Sequence, residues 1–234
     1  MARNFTEIAY SPAVRAMQRK MKAVEINADL QRSSGRNTVT PALATYLASR
    51  ISFYLASASA AGQPYIQHRG GPPGFIKTID SQTLAFADFE GNKQYVTLGN
   101  LSENPRVQLF FMDYAQRQRL KIWGRAEIVE HDESLLALVT PKTWRKPLRR
   151  AIRIAVEAWD VNCPAYIPQL FTVDEVEAAH AAMLARIAEL EAEIGRLKSR
   201  PARMAGSATP DKRLRATAQP KGRIKRGEAD HGKD

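Results

Sequence analysis

The chain has 234 residues, with 35 Lys and Arg against 24 Asp and Glu, a net charge of +11, and 44% hydrophobic residues. That apolar content is ordinary for a globular protein, and a single cysteine, Cys163, excludes an internal disulfide framework and any multi-cysteine metal site. No apolar run approaches the ~20 residues that cross a bilayer, and no secretory leader is read at the N-terminus. One cysteine suits a reducing compartment, so the expectation is a cytoplasmic protein.

In chain order, Pro12 opens a helical stripe over 12–32, with Val14, Met17, Met21, Val24 and Ala28 at three- and four-residue spacing. Thr40-Pro41 caps a second short helix carrying Leu43, Tyr46 and Leu47. From about 51 the period changes to two. Strands are read at 51–57, 65–69, 75–79, 83–87, 106–112 and 120–128, divided by Gly-, Pro- and Asp-rich turns. Six short strands at this spacing predict a mainly β chain folded as a small antiparallel barrel. A short helix is read over 92–100. Residues 132–158 read as helical, broken near Pro141 and Pro147. Asp174 to Lys198 is the clearest helix, with Val176, Met183, Ile187, Leu190, Ile194 and Leu197 in 3–4 alternation and His180 on the same seam. That seam serves a coiled coil, a dimer contact or packing on the barrel.

Residues 200–234 hold 10 basic and 4 acidic residues, a net +6, and few large apolar ones. Such a stretch reads as a disordered basic tail, serving either weak polyanion binding or solubility. The expected organisation is a helical segment over 1–50 that packs on the barrel, the barrel over 51–173, a helix over 174–199 and the tail over 200–234.

The motif search excludes several chemistries. There is no phosphate loop of the G-x-x-x-x-G-K-[ST] kind, no dinucleotide glycine fingerprint and no H-E-x-x-H. His68, His131, His180 and His231 have no partner at ligand spacing, so no metal site is expected. Polar and basic residues gather instead at strand ends in 62–126: Gln67, His68, Arg69, Asp88, Asn92, Lys93, Arg117, Gln118 and Arg119. They read either as solvated strand ends or as the cations and donors of one anion site, with Lys93 near a helix start that favours phosphate. The cluster Arg145, Lys146, Arg149, Arg150 and Arg153 reads as a solvated helix face or a polyanion site. Cys163 is a small buried residue or a thiol near a ligand, and Trp123 and Trp159 pack the core or stack on a ligand.

The ordered series Gly62-Gln63-Pro64-Tyr65, Leu84 to Asp88, Gly91-Asn92-Lys93, Asn100 to Val107 and Gly124 to Glu127 resembles the pyridoxamine 5'-phosphate oxidase superfamily of FMN-binding split barrels. His68 to Phe75 and Trp159 to Pro164 are similar to its bacterial branch of predicted flavin-nucleotide-binding proteins. The resemblance implies a six-stranded split barrel, a homodimer, and FMN in clefts shared between two copies. It places Lys93 on the flavin phosphate with Asn92 beside it, Ala87 and Asp88 at the ribityl chain or ring, and Gln67, His68 and Arg69 along the ring edge. Gln118 or Arg119 reaches the flavin from the partner subunit. The family's Arg-x-His element for the vitamin is missing from the sequence, so flavin binding and redox chemistry on a small-molecule substrate or electron donor are implied more strongly than B6 chemistry. His68 is the one candidate acid or base. The alternative is a non-catalytic flavin or nucleotide carrier or sensor.

Overall fold

A computed structural model describes residues 4–25, 36–162 and 165–199. The helical stripe expected over 12–32 is therefore described only in part, and Cys163, Pro164 and the basic tail over 200–234 lie outside the described residues. The chain divides into two units, 1–173 and 174–234.

The first unit is built on one seven-stranded antiparallel sheet, with β1 (Ser52–Ala58), β2 (Pro64–Gly70), β3 (Ile76–Thr78), β4 (Thr83–Ala87), β5 (Arg106–Asp113), β6 (Gln118–Val129) and β7 (Ala151–Asn162). The order across the sheet is β2-β1-β5-β6-β7-β4-β3. Among the described residues, the helices α1 (Phe5–Ala9), α2 (Pro12–Lys20), α3 (Pro41–Ser49), α4 (Val96–Glu103) and α5 (Glu133–Val139) accompany it.

Alternation decides which side of each strand is buried. Phe53 and Leu55 of β1, Val107, Leu109 and Phe111 of β5, Leu120 and Ile122 of β6, and Ile152, Ile154 and Val156 of β7 form one core with Leu84 and Phe86. Phe53 sits at its centre, with ring centroids 5.8, 5.2 and 5.0 Å from Phe75, Phe86 and Phe111. α3 covers the core with Leu43 and Leu47, and the Thr40 hydroxyl accepts from the Leu43 N–H at 3.2 Å to cap it. The N-terminal segment lies on the outer face of the sheet. Phe5 stacks on Trp123 at 5.6 Å and Arg36 pairs with Asp160 at 2.7 Å, while on the core side, where Trp159 packs, its indole donates to the Thr38 carbonyl at 2.8 Å. Burial pushes the Asp160 carboxyl up, and Arg36 and Lys121 pull it back.

β7 is the correction to the expected six strands. The helical reading of 132–158 holds only for α5. Beyond it, buried Ile152, Ile154, Val156 and Ala158 alternate with Arg153, Ala155, Glu157 and Trp159, and the strand joins β6 to β4. Its pairing with β6 slips at Trp123/Gly124. A Cβ on Gly124 would stand 2.5 Å from the Ala155 carbonyl oxygen, so the bulge needs glycine there. The helix read over 92–100 also starts later, at Val96, because Lys93 and Tyr95 take φ of 61° and 54° and the Asn92 side chain accepts from the Gln94 N–H at 3.1 Å to form a turn.

The second unit is described by α6 (Val173–Lys198). None of its residues is buried. No helix among the described residues is long and apolar enough to cross a membrane.

Candidate functional site

Ala87, the last residue of β4, pairs with Ala151, the first of β7. One step outward, the Asp88 N–H donates to the Arg150 carbonyl at 3.0 Å. This register sets the Asp88 carboxylate, 6% exposed, beside the guanidinium of Arg150, whose Nε donates to its Oδ2 at 3.2 Å. From β2, Arg69 Nη1 donates to Oδ1 of the same carboxylate at 2.8 Å. One buried carboxylate thus holds two guanidiniums together, a placement that would be repulsive without it. Each cation also lies near an aromatic ring: Arg69 is 5.8 Å from the Phe86 centroid and Arg150 5.7 Å from that of Tyr95.

These groups line a cleft of about 170 Å³ with Gln67, Asn92, Lys93 and the first turn of α4, Val96 to Leu98. Its lining carries three cations, Arg69, Lys93 and Arg150, and one carboxylate, Asp88. No side chain caps α4, whose N-cap residue Tyr95 is left-handed, so the free N–H groups of its first turn add positive potential to the same cleft. Two buried polar atoms there have no hydrogen-bond partner among the described residues: Arg69 Nε and Thr97 Oγ1, with Thr97 only 4% exposed. Buried polar groups are normally satisfied, and both of these can donate to an acceptor placed in the cleft. A second cleft of about 350 Å³ shares Asp88, Phe89, Gly91, Lys93 and Arg150 and continues past Trp144, Lys146 and Arg149. Phe89 and Trp144 sit ring to ring at 4.2 Å.

Six of the residues singled out in the sequence meet here: Gln67, Arg69, Asp88, Asn92, Lys93 and Arg150. The others do not line this cleft. His68 alternates to the opposite face of β2 and meets Tyr54, ring centroids 5.7 Å apart. Ala87 packs in a small apolar cluster under α5, beside Ala85, Leu135, Val139 and Ala151. Gln118 and Arg119 begin β6 opposite Asp113 and Met112, and Arg119 Nε is likewise buried without a partner among the described residues. Sequence reasoning misplaces Arg150 and misses Thr97. It reads Arg150 as part of a solvated helix face or a polyanion site, although the period-two run from Ile152 to Ala158 marks a strand that brings it to the end of β4. Thr97 carries no sequence signal, because only the burial of its hydroxyl distinguishes it.

The family model described as pyridoxamine 5'-phosphate oxidase matches residues 39–163, which spans β1 to β7 and every residue of this cleft. The chain belongs to the pyridoxamine 5'-phosphate oxidase family. Its seven-stranded antiparallel sheet with flanking helices is that family's split barrel. Similar solved structures include a variant of HupZ from Group A Streptococcus, at 20% identity over 53% of this chain and 99% of that one, with a TM-score of 0.44. An FMN-binding protein of Syntrophomonas wolfei is 15% identical over 63% and 96%, with a TM-score of 0.39. A FAD-binding protein of Mesorhizobium loti is 18% identical over 53% and 94%, with a TM-score of 0.38. No curated protein matches the chain.

Proposed function

We propose that the chain binds FMN, with the flavin phosphate in the cleft between β2, β4, β7 and α4, and acts as an oxidoreductase on a small-molecule substrate or electron donor. The observation that carries this reading is the pair of unpartnered buried donors, Arg69 Nε and Thr97 Oγ1, beside three cations and an uncapped helix start. A phosphate dianion supplies acceptors for both, and charge-assisted hydrogen bonds are the strong ones. Arg69, Lys93, Arg150 and Thr97 would hold the phosphate, Asn92 and Gln67 would offer amide donors, and Asp88 would hold Arg69 and Arg150 in place.

A bound flavin supplies the electron-transfer chemistry. The chain's own part is to anchor and orient it. The reading extends to a homodimer, because the outer face of β2, β1 and β5 carries exposed Ile66 and Tyr54 alongside Phe110 and His68. His68 and Arg119, both outside the phosphate cleft, would then act across the two copies. A second reading, a non-catalytic flavin carrier or sensor, is favoured by one feature: both oxygens of the carboxylate lining the phosphate cleft are engaged by guanidiniums.

The visible spectrum of freshly purified protein tests the cofactor. Oxidised-flavin bands, with FMN released on denaturation, are expected. A colourless protein that takes up no FMN on titration contradicts the proposal. Bleaching of the flavin by reduced nicotinamides or another donor in stopped flow separates the oxidoreductase from the carrier.

A further inference from the structure

α6 buries none of its residues, yet it carries Val176, Met183, Ile187, Leu190, Ile194 and Leu197 exposed by 42–61%. Together with His180 these residues are spaced alternately by four and three over 176–197. In heptad terms His180, Ile187 and Ile194 are a positions, and Val176, Met183, Leu190 and Leu197 are d positions. Ile at a with Leu at d is the combination that favours two parallel strands. The flanking positions fit the same arrangement. In a parallel pair each g residue faces the e residue five places on in the other helix. Here that sets Arg186 against Glu191, Glu193 against Lys198, and Ala179 against Leu184. Both charged pairs are opposite in sign and the third is apolar. Within one helix Arg186 contacts Glu189 at 2.8 Å. Both partners are about two-thirds exposed, so this pair holds Arg186 only weakly.

We propose that α6 docks on α6 of a second copy of this chain as a parallel two-stranded coiled coil over 176–197, about 33 Å long, with His180 in register with His180. The occupant is a second copy because the seam's charges complement the seam itself. A parallel coil brings both copies of residues 1–173 to its same end, which raises their effective concentration for pairing. The inference does not depend on flavin binding.

The test is disulfide trapping in the full chain carrying Cys163→Ser. Leu197→Cys places a thiol at d near the end of the seam, and Ala185→Cys places one at f on the opposite face. In a glutathione redox buffer Leu197→Cys is expected to form a covalent dimer and Ala185→Cys is not. Adding Arg186→Glu to Leu197→Cys sets like charges at 186 and 191 and lowers the trapped fraction, and adding Glu191→Arg to that variant restores it. Equal trapping of the Leu197→Cys and Ala185→Cys chains overturns the coil even if the barrels dimerise. Rescue by Glu193→Arg in place of Glu191→Arg, or trapping between separately made His180→Cys and Leu197→Cys chains, overturns its parallel direction.

Discussion

Lys93 and Thr97 face the same cleft but make opposite demands on the chain. Lys93 is held in the left-handed region and makes no ion pair among the described residues, so its ammonium is available to a ligand. Lys93→Ala removes a charge-assisted contact of about 1.5–3 kcal/mol and is expected to weaken FMN at least about tenfold in a fluorescence titration. Thr97 Oγ1 is a cost to the ligand-free chain, being buried and without a partner among the described residues. Thr97→Val is therefore expected to leave the melting temperature of the apo-protein unchanged or raised while weakening FMN, because an unsatisfied buried hydroxyl disappears and a phosphate donor with it. A melting temperature that falls without any loss of FMN affinity would show that the hydroxyl belongs to the fold and not to the site.

Among the elements, β7 does most to position the site, and it is the element the sequence concealed. The stretch from Asp132 begins with helical spacing at Leu135, Leu136 and Val139, and α5 forms there with the Asp132 carboxylate accepting from the Leu135 N–H at 2.9 Å. Nothing at Leu148 to Arg150 punctuates the change of period that follows. By contrast, β1 and β5 were legible from alternation between clear turns, β4 from a short apolar run bounded by turns, and α3 from Thr40-Pro41. Gln67, Arg69, Asp88, Asn92 and Lys93 were legible because they cluster at strand ends. The facing of His68 was not, because in a strand with two half-exposed sides polarity does not say which side meets the ligand. The β6–β7 bulge offers a test at this scale. Gly124→Ala drives a Cβ to 2.5 Å from the Ala155 carbonyl oxygen, where backbone must yield. A loss of about 1–3 kcal/mol of stability is expected in urea denaturation. An unchanged midpoint would mean that β7 lies less tightly on β6 than described. The Asp132 cap gives a pH dependence. Hydrogen bonds from Ser134 and Leu135 hold its carboxyl below the ordinary carboxylate value, so its contribution is complete above about pH 4 and is lost as pH falls through that lowered value. Urea midpoints of the wild-type chain and Asp132→Ala are accordingly expected to differ at neutral pH and to converge in acid.

At the level of the whole molecule, the family match ends at 163, before α6 and residues 200–234. A chain ending at Ser199 is expected to keep its flavin. It should elute from heparin at lower salt than the full chain, because it lacks the net +6 of 200–234. Loss of flavin on this truncation would extend the folded unit into the tail, and unchanged elution would leave the tail without a polyanion role. In the proposed function, Arg69, Lys93, Arg150, Thr97 and the start of α4 recognise a phosphate. Riboflavin has the same ring and ribityl chain as FMN and lacks only the phosphate, so paired titrations of the two isolate phosphate recognition. FMN is expected to bind at least about a hundredfold more tightly, from two or more charge-assisted contacts, with Arg150→Ala shrinking the ratio chiefly by weakening FMN. Equal affinities for FMN and riboflavin would contradict it.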